Sequence, residues 1–393
     1  MSRPETQVKM PGRVLVTGGA GFIGSFLCER LLALNVAVRV LDNLDPQVHP
    51  AHARPSLPPG VEFLQADVRD LASCERALEG VDAVVHTAAA VGVAQSLYRV
   101  RHYIDVNTTG TATLLEALIA RRPVPKLVVL TSMTAYGEGT YRRPSDGSVL
   151  RANLRTEHDV NHVGWEPVCP RTHEPLVPCP TPETADLLCR NIYALSKRHQ
   201  EDLALALGST YGFPVVCLRL FNVFGPRQSL SNPYTGVIAI FLSRLFAGQR
   251  PLVYEDGLQT RDFVSVHDVA DAVLAALASP DADGAVLNIG SGIGRPIHEV
   301  ALALSRLVDR EDLPPLISHR YRLGDVRHCT ADISRARALL DFEPKVGWEE
   351  GLAEVVEWAR SSTSLDGVAQ AERELERRGL VTGPRSAPQG PAA

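Results

Sequence analysis

The sequence predicts an α/β fold in which a doubly wound parallel sheet is followed by a smaller C-terminal α/β lobe. Three observations carry the prediction. Short β-branched runs alternate with helix-period stretches, the first run closes on a cluster of glycines that opens a helix, and 393 residues exceed the usual size of one domain.

The runs come in order at Arg13 to Thr17, Val36 to Leu41, Val61 to Leu64, Val81 to His86, Lys126 to Thr131 and Pro214 to Arg219. Between them Ile23, Phe26, Leu27, Leu31 and Leu34 recur at helical spacing, as do Leu114, Leu115, Leu118 and Ile119. Strands separated by helices pair in parallel, with the helices covering the sheet faces. From Gly137 to about Asp186 the pattern fails, and a stretch rich in Pro, Arg, His and Cys reads as an insertion loop. Near the C-terminus, 365–379 reads as a charged helix, and Gly383 to Ala393 as a disordered Pro/Gly/Ala tail. No internal repeat is present.

Apolar residues at 45% and charged residues at 22% describe an ordinary globular chain, neither disordered nor membranous. The longest apolar runs fall short of a bilayer span, so no membrane association is expected. Acids and bases are interspersed at a net charge of -5, which argues against a broad basic face for nucleic acid. The opening MSRPETQVKMPGR has no apolar core of a secretion signal, and the expected compartment is the cytoplasm. Seven scattered cysteines (Cys28, Cys74, Cys169, Cys179, Cys189, Cys217 and Cys329) fit reduced thiols there, with no structural disulfide.

The first strand ends in Thr17-Gly18-Gly19-Ala20-Gly21-Phe22-Ile23-Gly24. Gly18 can make the tight turn, Gly21 admits a pyrophosphate close to backbone, and Gly24 lets the helix pack tightly on its strand. The phosphate charge would then rest at the helix N-terminus, beside Phe22 and Ile23. Asp42 closes the second strand, where its carboxylate can accept both adenosine ribose hydroxyls and would repel a 2′-phosphate. The dinucleotide is therefore expected to be NAD rather than NADP, on a Rossmann-type sheet.

Tyr193 and Lys197 stand four residues apart in a helical stretch, so phenol and ammonium share one face. Lys197 can lower the pKa of Tyr193 and hold a ribose, while the phenolate takes a hydroxyl proton as hydride leaves the same carbon.

With these residues in place, the chain resembles the extended short-chain dehydrogenases/reductases, and among them the NAD-dependent nucleotide-sugar epimerase family, over roughly residues 12 to 360. The resemblance rests on the glycine turn, Asp42-Asn43-Leu44, Asp67-Val68, His86-Thr87-Ala88-Ala89, Asn107 before Gly110-Thr111, and Thr131-Ser132-Met133-Thr134-Ala135-Tyr136-Gly137. It continues through Tyr193 and Lys197, Arg219 to Arg227, Arg261-Asp262-Phe263 and Gly324-Asp325-Val326-Arg327. It implies an NAD-binding domain over 1–221 carrying the insertion 137–186, a mainly substrate-binding lobe over 222–360, and a terminal helix and tail over 361–393.

The resemblance also assigns roles. Asp67 and Val68 would contact adenine, Asn43, Ala88 and Asn107 would line the cofactor, and Ser132 would hydrogen-bond the reacting sugar hydroxyl beside Tyr193. Asn222, Arg261 and Arg322 would hold the diphosphate and nucleotide of a nucleotide-sugar substrate, with Asp325 on the ribose and Thr134 on the sugar; guanidinium groups suit phosphate oxygens. Homodimerisation through helices near 105–120 and 186–207 is a further implication.

Relatives of this type dehydrate, decarboxylate, reduce or epimerise. The first two carry an acidic residue two or three places before the tyrosine at position 136, where this chain has Met133 and Thr134. Without that carboxylate, the expected chemistry is 4-epimerisation through a transient 4-keto sugar, with dehydratase, decarboxylase or reductase as alternatives. A catalytically idle NAD-binding regulator is another, and the intact Ser132, Tyr193 and Lys197 argue against it. The insertion with Cys169-Pro170 and Pro180-Thr181-Pro182-Glu183, Leu230 to Val237, and Gly324 to Ile333 resemble the dTDP-L-rhamnose and UDP-glucose 4-epimerase subgroup. In the insertion His158, His162, Cys169, His173 and Cys179 are irregularly spaced, which favours a lid loop over a metal site. Cys329 falls where such pockets are gated, and its small side chain predicts room for bulky or deoxy sugars. His86 ends a buried strand and His267 opens a helix, so both read as structural.

Overall fold

The computed structural model describes residues 10–49, 57–153, 155–230, 236–322, 325–361 and 368–382. Five strands open the fold: β1 (Arg13–Thr17), β2 (Ala37–Asp42), β3 (Glu62–Gln65), β4 (Ala83–His86) and β5 (Lys126–Ser132). With Val215–Leu220 and Val286–Ile289 they form one seven-stranded sheet. From one edge the order is Val286–Ile289, Val215–Leu220, β5, β4, β1, β2, β3, with every pair parallel.

Alternation along β1 explains the two cores. Val14 and Val16 face a layer with Leu27 and Leu31 of helix α1 (Phe22–Ala33) and with Val269 and Val273, whereas Leu15 faces the opposite layer, with Val84, Leu114, Leu115 and Leu118. Pairing of Thr17 with both Leu41 and His86 sets the C-terminal ends of β1, β2 and β4 on one rim. The glycine turn, Asp42 and Ser132 all leave the sheet there, which is where open parallel sheets bind ligands.

The six runs read from sequence are six of the seven strands. The seventh, Val286-Leu287-Asn288-Ile289, follows elements of the second lobe, and a buried Asn288 interrupts its apolar character. The chain thus returns to the first sheet after building much of the second lobe. That lobe has its own core, with Phe224, Phe241, Leu242, Phe263, Leu304 and Val355 among its buried side chains.

The segment 137–186, expected to be a loop, is ordered instead. Thr140–Arg142 pairs antiparallel with both Val149–Arg151 and Val177–Cys179, and Glu157–His162 is a helix whose Thr156 and Asp159 form a capping box. Three-residue strands carry too little periodicity to be read from sequence, and ionic contacts fasten them. The Glu138 carboxylate accepts the N–H groups of Arg327 (2.9 Å) and His328 (2.8 Å) and the Tyr141 hydroxyl (2.7 Å). Arg155 pairs with Glu255 at 2.8 Å, and the fully buried Arg327 side chain meets Glu166, Glu255 and Asp256. The insertion is therefore bound to the second lobe by buried charge.

Of the predicted terminal helix, Val368–Arg377 is helical, while 365–367 and the tail 383–393 lie outside the described residues. Among the described residues no helix is long and apolar enough to cross a membrane.

Candidate active site

The glycine turn requires glycine for steric reasons. Gly18 has φ +70°, and a Cβ there would lie 2.8 Å from the Ala88 backbone. A Cβ on Gly24 would lie 2.5 Å from the Gly18 carbonyl oxygen, so α1 could not approach β1 so closely. Helix α1 starts at Gly21 with no side-chain cap and no acidic residue in its first turn, which leaves Phe22 and Ile23 at a positive helix end suited to phosphate.

Asp42 is buried behind this turn. One carboxylate oxygen accepts the Ala20 N–H (3.1 Å) and the other the Leu44 N–H (2.9 Å). Asn43 donates to Asp67 at 3.0 Å. Hydrogen bonds from Arg69, foremost that of its side chain, hold Asp67 down at about 2, so it is a fixed anion at neutral pH. Val68 is buried below it, and Asn107 grips the loop after β4, accepting the Ala90 N–H (2.7 Å) and donating to the Ala90 carbonyl (3.0 Å) and Ser196 Oγ (2.8 Å). A free helix end, a glycine cradle and a buried acid at the end of β2 together fit the pyrophosphate and ribose of a dinucleotide.

His86 has the structural place expected of it. Its Nδ1 meets Thr17 Oγ1 (2.7 Å), and its Nε2 meets Thr111 Oγ1 (2.8 Å) and the Gln200 amide (3.0 Å). Burial, and secondarily the charge of Lys197, push its pKa down to about 3. His267 likewise packs edge-on against Phe26 at 5.0 Å and meets Glu354 at 2.9 Å.

The residues expected to be catalytic come from two elements. Ser132 ends β5 and caps the 3₁₀ turn Met133–Tyr136, with Thr134 Oγ1 3.0 Å from its hydroxyl. The helix Ile192–Tyr211 starts on an Asn191 cap that accepts the Ala194 N–H at 2.8 Å, placing Tyr193 in the first turn and Lys197 one turn later. Both are buried. Burial pushes the Tyr193 phenol up to about 12, and the facing Ser132 hydroxyl opposes this, so the two hydroxyls lie in one site.

The expected action of Lys197 on Tyr193 needs correction for this state of the chain. Burial pulls Lys197 itself down to about 7, and Nζ donates to the Leu130 carbonyl at 2.8 Å. Desolvation dominates the shift of each side chain, so the resting phenol is protonated.

A buried network supports the catalytic turn. The Tyr136 hydroxyl donates to Asn288 (2.7 Å) and accepts from Arg219 (2.8 Å), and Arg219 pairs with Glu201 at 2.6 Å. The role of Glu201 and Asn288 is not apparent in the sequence, because they stand 65 and 152 positions beyond Tyr136 and neither lies in a local motif.

On the opposite side, Arg261 donates to Asp325 Oδ1 (3.2 Å) and the Val326 carbonyl (2.6 Å) and pairs in register with Cys329. Cys329 is buried against Met133, Tyr136 and Phe221, so Arg261, Asp325 and Cys329 abut the catalytic turn. Arg322 lies over the Tyr254 ring at 4.7 Å. Among the described residues, Asn222 Oδ1 and Arg322 Nε are buried without hydrogen-bond partners, as polar atoms meant for a ligand would be. The seven cysteines are unpaired thiols, and among the described residues no three His, Cys, Asp or Glu side chains converge as metal ligands.

Residues 14–159 and 170–290 match the profile of the NAD dependent epimerase/dehydratase family. The chain belongs to this family. It is 35% identical to the dTDP-L-rhamnose 4-epimerase of Burkholderia thailandensis, across 88% of this chain and 94% of that one. The Thermotoga maritima UDP-glucose 4-epimerase, solved with UDP-glucose, superposes with a TM-score of 0.73 at 29% identity, covering 89% of this chain and 99% of that one. The Thermus thermophilus UDP-glucose 4-epimerase complex with NAD does so with a TM-score of 0.67 at 32% identity, covering 89% and 100%.

Proposed function

We propose that this protein is an isomerase that 4-epimerises a nucleotide-diphosphate sugar with NAD as its resident cofactor. The observation that carries the reading is the buried Tyr193 phenol facing Ser132, whose strand ends on the rim that also bears the glycine turn, with Met133 and Thr134 in place of an acid on the adjoining turn. The glycine turn and Asp42 would hold NAD, which would supply reversible hydride acceptance at C4 and positive charge in the pocket.

The rest falls to the chain's own residues. Ser132 orients the 4-hydroxyl, and Tyr193 accepts its proton and later gives it back. Because burial keeps the phenol protonated at rest, it ionises only as positive charge gathers around it, and Lys197 contributes part of that charge. Asn222, Arg261 and Arg322 hold the diphosphate while the sugar turns between the two hydride transfers. The absence of a carboxylate at 133 and 134 leaves no second acid or base for dehydration. Cys329 leaves space for a bulky or deoxy sugar.

We place the enzyme in the cytoplasm as a homodimer, joined through Gly110–Ile119 and Ile192–Tyr211, where Leu195 is an exposed apolar side chain. Incubation with UDP-glucose, UDP-glucuronate and dTDP-L-rhamnose, with the C4 configuration read by proton NMR, tests the reaction. A C4 epimer with no net NADH supports the reading; a 4-keto-6-deoxy sugar or loss of carbon dioxide as the product overturns it.

A further inference from the structure

The insertion forms a half-open cleft of about 320 Å³ that includes none of the residues assigned above to the cofactor or the sugar nucleotide. Its volume lies at the lower end of small-ligand pockets. Arg143, Arg151 and Arg171 line it with Ser148 and Cys169, and no carboxylate is among the lining residues.

Two of the neighbouring acids are already engaged. Asp146 pairs with Arg143 and accepts the Ser148 N–H (3.0 Å) and hydroxyl (2.7 Å). Glu174 accepts the N–H (2.8 Å) and hydroxyl (2.7 Å) of Ser145. Arg151 gives one terminal nitrogen to the Tyr136 carbonyl, while its Nε is buried and unpartnered. Arg171 is exposed and has no ion-pair partner among the described residues. Arg143 is thus neutralised and Asp186 and Glu138 act on Arg151, so the surplus positive charge of the cleft rests chiefly on Arg171, with Arg151 Nε open to an acceptor.

Cys169 shows that hydrogen-bond donors converge on the cleft. Hydrogen bonds from the Thr172 hydroxyl, the Arg171 and Thr172 backbone and Arg143 hold its thiol down at about 7, although the residue is only 3% exposed.

We propose that this cavity is a second binding site, for a small oxyanion such as a phosphate or carboxylate group, held by Arg151 and Arg171 against Ser148 and Cys169. Guanidinium groups match the geometry of either oxyanion. An anion seated beside Cys169 disfavours the thiolate, and a rise of about one pKa unit would cut its population roughly fivefold at pH 7.

The test uses the full chain with NAD, at constant ionic strength adjusted with sodium chloride. Iodoacetamide labelling of Cys169 is followed by peptide mass spectrometry while inorganic phosphate or, separately, citrate is titrated. The unfolding midpoint is followed in parallel, since it needs no access to the thiol. The proposal expects a saturable slowing of labelling or a saturable rise in midpoint; response to phosphate alone marks a phosphate site, and to citrate alone a carboxylate site. Arg171→Ala, a change at an exposed side chain, should raise the half-saturation concentration about fivefold or more, as loss of one charge-assisted contact predicts. Arg261→Ala should leave it unmoved, separating this cavity from the diphosphate position. Absence of saturation in both readouts with both probes, or a half-saturation point that Arg171→Ala does not shift, overturns the proposal.

Discussion

Replacing Lys197 by Met should inactivate the enzyme and alter how its stability depends on pH. The buried ammonium falls from an ordinary 10.5 to about 7 in the folded chain. Between these values the unfolded chain holds more protons than the folded one, so stability rises with pH across that window; below pH 7 the burial penalty is present in full. At about 1.4 kcal/mol per unit, the penalty at pH 7 approaches 4 kcal/mol, falling to about 2 kcal/mol at pH 9. Met fits the space of the stem without the charge but leaves the Leu130 carbonyl unpaired, which costs about 1–3 kcal/mol. The variant should therefore be at least as stable as the parent at pH 7. Urea unfolding of NAD-free protein at pH 7 and pH 9 measures this. The parent should gain about 2 kcal/mol more than the variant between the two pH values. Equal pH slopes would refute the reasoning, because they would mean that Lys197 carries no burial penalty.

Other substitutions test single links. Tyr193→Phe should lower turnover about 10³-fold while NAD and sugar-nucleotide affinities, measured by calorimetry, hold; intact turnover would remove the phenol from the chemistry. Gly18→Ala places a Cβ 2.8 Å from the Ala88 backbone at φ +70°, so it should cost about 1–3 kcal/mol of stability and weaken NAD binding in a fluorescence titration. Arg261→Ala should raise the KM for the nucleotide sugar about tenfold or more, in keeping with a charge-assisted phosphate contact, and an unchanged KM would take Arg261 out of the site.

Much of the site is legible in the sequence because its chemistry is local there. Gly18, Gly21 and Gly24 sit within one turn, Asp42 ends the next strand, and Tyr193 and Lys197 are one helical turn apart, so spacing alone relates them. The insertion reads as a loop because its three strands have three residues each and its order rests on partners far away, such as Glu138 with Arg327 and Arg155 with Glu255. The seventh strand escapes a sequence reading because Asn288 is polar, and only the fold supplies its partners: Tyr136 and the carbonyl of Thr181.

The sequence by itself determined the alternation of strands and helices, the glycine turn and the spacing of the proposed catalytic pair, since each depends on periodicity or steric rules acting over a few residues. Tertiary structure decided the protonation of that pair, the joining of the insertion to the second lobe, and the meeting of Cys329 with the Ser132 turn. These follow from desolvation and from contacts between residues many positions apart, and both exist only once the chain has excluded water from its interior.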